Sequence, residues 1–130
     1  MNLRAVLGFA AAMATSVSAG LCNAVQPYSY TIAVSSNAAF GPAINELKKH
    51  PVGSWYSDRA YGDQIDQLMS QCGNDVPVIV IYGLPNKDCG DGGYSNGGSN
   101  TNSADYTKWI QSLVNRVGQK EVIYVVEPDA

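Results

Sequence analysis

The stretch "VPVIVIYGL", Val76 to Leu84, decides the fold. It is a nearly unbroken apolar run rich in β-branched residues, the pattern of a parallel strand covered on both faces. On its N-terminal side, "DQIDQLMSQCG" puts Ile65, Leu68, Met69 and Cys72 on one face, opens on Asp63 and closes on Gly73, which predicts a helix. Before that, "VGSWY" at 52–56 is a short strand candidate. Ala38 to Lys49 carries Phe40, Ile44 and Leu47 at helical spacing behind Asn37 as N-cap, and His50-Pro51 stops this helix. The preceding "VQPYSYTIAVSSN" reads as a polar, Tyr-rich opening.

Beyond Leu84 comes "PNKDCGDGGYSNGGSNTNS", residues 85–103, whose Gly, Asn and Ser content marks an irregular loop of the length that compact domains keep for function. Asp105 to Val117 then places Tyr106, Trp109, Ile110, Leu113, Val114 and Val117 on one stripe. After Gly118, "EVIYVV" is a second strand of the buried type. Helices alternating with strands in this order predict an α/β fold with a parallel sheet. Right-handed crossovers put the strands starting near Val76 and Glu121 side by side, with their C-terminal ends at one edge. In α/β sheets and barrels that edge binds ligands, and both "YGLPNKDCG" and "EPD" fall there.

Residues 1–19 carry one Arg, an apolar run from about Ala5 to Ala14 and small residues before Gly20, the pattern of a secretory signal peptide. That run is shorter than the roughly 20 apolar residues a bilayer span needs, and no later stretch qualifies, so the expectation is a secreted, extracellular protein with no membrane association. Residues 20–130 suffice for one small domain or part of one. The net charge is −3 and the eight Lys and Arg form no basic stripe, which argues against nucleic-acid binding. Three cysteines, Cys22, Cys72 and Cys89, leave one over, implying an intermolecular bond, a free thiol or a partner outside this sequence.

Asp88 and Asp129 follow the two neighbouring strands. If the loop folds back, the two carboxylates approach one another and cannot ionise independently, so one becomes a proton donor near neutral pH, as general acid catalysis requires. The alternative is that both are turn residues, of the kind that end strands everywhere. Other chemistries fit less well. His50 is the only histidine, with no second one to build a zinc site. The Gly-rich loop does not fit a dinucleotide-binding motif, because Ser95 takes the place of a required glycine. Asp88 and Asp91 do not match a calcium loop. Tyr106 and Trp109 lie on a helical stripe and read as core packing.

The literal residues "YGLPNKDCG", then "YSNGG", then "VIYVVEPDA" resemble glycoside hydrolase family 6, the inverting cellulases. The family carries Tyr-x-x-Pro-x-(basic)-Asp-Cys, then Ser-Asn-Gly, then an apolar strand ending in Glu-Pro-Asp. The resemblance implies a β-1,4-glucan (cellulose) substrate, no cofactor, no metal and a monomer. It implies that Asp129 is the general acid and that Asp88 raises the acid's pKa and supports an oxocarbenium-like transition state. Tyr82 resembles the tyrosine that presses on the distorted sugar, and Ser95 the loop serine that helps place the attacking water. In an inverting enzyme the two carboxyl groups flank a gap of about 6.5–9.5 Å. Trp55 resembles a tryptophan platform for a glucosyl unit, its indole face suiting the C–H face of a pyranose, and Ser57 a polar sugar contact.

There are departures from the family pattern. Lys87 stands where Arg is usual and lacks its two-pronged donor. The Ser-Asn-Gly element sits one residue further along. The resemblance also implies that the chain holds only the first βα units of a distorted parallel (β/α) barrel. On that reading Cys89 lacks its partner, Cys22 and Cys72 pair, and the fragment alone is inactive. The alternative is a non-catalytic truncated relic that binds glucan weakly through Trp55 and Tyr82.

Overall fold

The computed structural model describes residues 19–59, 62–87 and 97–128. Helix α1, Tyr28–Ser36, is followed by a 3-10 turn, Ala38–Phe40, and by α2, Gly41–Leu47. Strand β1, Ser54–Ser57, leads into α3, Ile65–Gln71, and β2, Val78–Tyr82; α4, Ser103–Val117, and β3, Ile123–Val126, complete the order. The strands form one parallel sheet in the order β1-β2-β3, so β2 and β3 are neighbours as expected. All three point their C-terminal ends to one edge.

The α3 and α4 helices form where their sequences announce them. The Asp63 side chain accepts from the Ile65 amide at the start of α3, and the Asn102 side chain accepts from the amides of Ala104 and Asp105 at the start of α4. Gly73 and Gly118 take the positive φ angles that end these helices. The helix expected over 38–49 is split. Asn37 does cap it, accepting from the Ala39 amide, but Pro42 sits in the first turn of α2, and the residues before it form the separate 3-10 turn.

Two expectations are corrected. The Tyr-rich opening contains a regular helix, α1, held at its start by the Tyr30 amide bonding the Pro27 carbonyl. It has no buried residue, so no apolar stripe announces it. The strand at "EVIYVV" is not buried: Ile123, Tyr124, Val125 and Val126 are 41–62% exposed. Its physical reason is that β3 pairs only with β2 among the described residues, and the core lies toward β1 and β2.

That core sits on one face of the sheet. Tyr56 of β1 and Ile79 and Ile81 of β2 pack with Ile65 and Leu68 of α3 and Leu113 and Val117 of α4. The parallel register puts Trp55, Val78, Val80, Ile123 and Val125 on the opposite face, where none of them is fully buried. A disulfide joins Cys22 to Cys72, with the Cα atoms 5.4 Å apart. Beside it, Gly20 and Cys22 exchange backbone bonds with Val76, so the opening segment runs parallel to the chain entering β2.

The bond closes a span of 50 residues and its cysteines belong to the core. Replacing both with serine is expected to lower unfolding stability by about 2–5 kcal/mol, read by urea titration under non-reducing conditions.

Candidate active site

At the C-terminal edge of the sheet, each strand exit carries polar side chains, and two carboxylates tie the exits together. The first is Asp58, immediately after β1. Its Oδ1 accepts from Lys87 Nζ at 2.8 Å and its Oδ2 from the Asn100 amide at 3.1 Å, and both side chains of the ion pair are only 1% exposed. Asn100 in turn donates through Nδ2 to the Gly83 carbonyl at 2.8 Å. The Lys87 ammonium also lies 4.7 Å over the Tyr82 ring. Taking two charges out of water costs several kcal/mol each, and here both carboxylate oxygens are satisfied in return. Gly98 is required beside this pair, because a Cβ there would stand 2.3 Å from Asp58 Oδ2.

The second is Glu127, immediately after β3. Its carboxylate accepts from the Gly83 amide at 2.9 and 3.0 Å, from the Leu84 amide at 3.2 Å and from the Tyr106 hydroxyl at 2.9 Å. Burial, then the hydrogen bond to Glu127 and its charge, push the Tyr106 phenol up to about 12. Gly83 thus meets both carboxylate assemblies. It also meets Trp109, whose ring would lie 2.5 Å from any Cβ at that position. Trp109 stacks on Tyr56 at 4.4 Å between centroids, in keeping with its reading as core packing.

Of the residues singled out in the sequence, Trp55 and Tyr82 come together, ring centroids 5.8 Å apart and edge to face. Trp55 is 57% exposed, while Tyr82 is buried. Ser57 is the register partner of Tyr82 on the adjacent strand. A groove of about 390 Å³ runs past Trp55, with Tyr28, Tyr30, Asp63 and Gln64 among its lining. Asp88, Cys89, Ser95 and Asp129 lie outside the described residues. His50 is exposed, 3.9 Å from Glu46. Sequence reasoning missed Asp58 and Asn100, whose partners lie far along the chain. It read Lys87 as a charge beside the loop aspartate, whereas its ammonium is committed to Asp58.

Residues 17–130 match the sequence profile of Glycosyl hydrolases family 6. The chain belongs to that family. It is 29% identical over 106 residues to Endoglucanase A of Thermobispora bispora, covering 76% of this chain and 22% of that protein. It is 28% identical over 96 residues to Endoglucanase 1 of Streptomyces sp. (strain KSM-9), covering 68% of this chain and 26% of that protein. The family 6 chain therefore spans about a quarter of the length of these curated relatives. No solved structure matches it. The matched span contains all three strands, and Tyr82 and Glu127 stand at the exits of two adjacent parallel strands at one edge.

Asp58→Asn leaves the Lys87 ammonium buried without its counter-charge and is expected to cost about 3–5 kcal/mol of stability. The double variant Asp58→Leu/Lys87→Met removes both charges and is expected to recover most of that loss, as read by urea unfolding of the two proteins side by side.

Proposed function

We propose that the protein is a secreted glycoside hydrolase that cleaves β-1,4-glucosidic bonds of cellulose with inversion at the anomeric carbon, acting as a monomer without a cofactor. The observation that carries this reading is the pairing of two family 6 strand exits, Tyr82-Gly83 and Glu127-Pro128, on neighbouring parallel strands cross-linked by one carboxylate. Asp129 is the general acid that protonates the leaving oxygen. Asp88 is the neighbouring carboxylate that raises the acid's pKa and supports the oxocarbenium-like transition state, and Ser95 helps place water. Trp55, exposed beside a groove, carries a glucosyl unit on its indole face, and Tyr82 and Ser57 complete the sugar contacts.

Residues 1–19 are the signal peptide on this reading, and the disulfide between Cys22 and Cys72 suits an oxidising compartment. The three strands are the first βα units of a distorted (β/α) barrel. Support for this comes from the apolar side chains of Val78, Val80, Ile123 and Val125 on one face, which the interior of a closed barrel would cover. The exposed strand β3 favours a second reading for the 130-residue chain by itself: binding of glucan through Trp55 without cleavage, because an open edge and an uncovered face leave half a cleft.

Proton NMR of the sugar released from a soluble β-glucan tests the main reading. Appearance of the α-anomer first from the full-length protein, and its loss in Asp129→Asn with glucan affinity by calorimetry preserved, is the expected result. Retained hydrolysis in Asp129→Asn removes it from the acid role. The 130-residue chain alone is expected to release no reducing sugar while binding glucan weakly, and Trp55→Ala to lose that binding.

A further inference from the structure

We propose that Glu127 is the positioning residue of this site: its carboxylate clamps the exit of β2 onto the exit of β3 and so fixes the spacing of the side chains that follow each strand. The inference rests on the hydrolase reading above and deepens it. Glu127 stands two residues before Asp129, and Gly83 opens the segment that runs to Lys87. Beyond the strand ladder, the carboxylate of Glu127 binds β2's exit through three N–H···O contacts, to the Gly83 and Leu84 amides. It reaches α4 through the Tyr106 hydroxyl. Its own amide donates to the Ile81 carbonyl at 2.7 Å, which carries the β2–β3 pairing one residue past the strand.

Three features mark this as positioning and not proton transfer. Both oxygens of Glu127 already accept from protein donors, two contacts each, so neither is left to serve as a proton donor to a substrate. The backbone holds a φ of 45°, in the left-handed region that non-glycine residues seldom occupy, and such a conformation persists where its surroundings over-determine it. The segment 83–87 is then fixed from both sides. Glu127 holds its first two amides, Asn100 holds the Gly83 carbonyl and Asp58 holds Lys87 at its far end. Losing the Glu127 contacts frees the β3 side of this arrangement while the β1 side stays anchored, so the change falls on the separation between the two exits.

Catalysis that depends on the placement of a donor is steep in distance, a displacement of about 1 Å costing up to a hundredfold. The test uses the full-length protein with Glu127→Gln, Glu127→Ala and Tyr106→Phe. Kinetics are measured on soluble β-glucan at a temperature where each variant is folded, with deuterium exchange followed in the peptide containing residues 83–87. In Glu127→Ala, kcat is expected to fall about ten- to a hundredfold with KM within about twofold, and exchange to accelerate in that peptide. Glu127→Gln keeps the shape and one acceptor and is expected to recover part of kcat. Tyr106→Phe, which removes one contact, should lie closer to the wild type. Spectroscopic titration checks the contact itself, since the Tyr106 phenol, pushed up to about 12, drops in Glu127→Gln because the neighbouring charge is gone. The fall in kcat with KM held is the readout that a purely structural role would not give.

An active wild type whose kcat is unchanged in Glu127→Ala overturns the inference and leaves the hydrolase reading standing, as does a loss confined to KM. A wild type that releases no sugar sinks the hydrolase reading, and this inference with it. Should Glu127→Ala fail to fold, the Glu127→Gln protein decides, and unaltered kcat and unaltered exchange there overturn the proposal.

Discussion

Asp58 and Lys87 meet where water does not reach, and the geometry of the sheet's C-terminal edge follows from that meeting. A buried charge without a partner is far more costly than a pair, so the chain leaving β1 and the chain leaving β2 cannot separate without exposing or stranding one of the two. Asn100 adds its amide to Asp58 and its side chain to the Gly83 carbonyl, which ties the segment before α4 into the same assembly. The close approach is possible because positions 83 and 98 carry no side chain, since Trp109 fills the space at one and the Asp58 carboxylate the space at the other. Strand exits that would be independent loops become a single connected rim.

Beneath the rim, α3 and α4 are locked to one another as well as to the sheet. Arg116 of α4 sends a two-pronged contact of 2.7 and 2.8 Å to Asp63 and a third of 2.9 Å to Asp66. Burial raises the Asp63 carboxyl, but the Arg116 hydrogen bonds and the Ile65 amide outweigh it and leave the group below the usual carboxylate range. The stability this adds is present above the ordinary aspartate pKa and is lost as acid protonates the carboxyl. The aromatic stack of Tyr56 on Trp109, with the Tyr56 hydroxyl bonding the Trp109 carbonyl at 3.0 Å, joins α4 to β1. The face of the sheet that carries the rim's support is thus rigid, while the opposite face is open.

What the sequence disclosed and what it withheld divide along physical lines. Strand β2 was legible because its apolar run has no polar interruption, and α4 because its stripe and its terminal Gly118 agree. The helix α1 was invisible because its apolar residues do not fall on one face. Exposure of β3 was equally unreadable, since a strand's composition reports its own character and not whether a neighbour lies beside it. The polar ties were hidden for another reason. Asp58 lies 29 residues from Lys87 and 42 from Asn100, in stretches whose Asp, Asn and Gly have an adequate local explanation as turns. Lys87 was read only as a lysine in place of an arginine, and the three-dimensional path of the chain reveals the carboxylate that draws it inside. Glu127 was visible as an acidic residue at a strand end, but its donors come from Gly83, Leu84 and Tyr106, far from it along the chain.

The two tryptophans lie in opposite settings, one with more than half its surface in water and the other sandwiched between Tyr56 and the backbone of Gly83. Their emission therefore separates into two reporters that nature has already installed. Red-shifted light from Trp55 senses whatever settles on the outer surface, and Trp109, quenched or shifted by its aromatic neighbours, senses the integrity of the interior. Binding and unfolding can be followed in the same cuvette without a label, because the two events address different indoles.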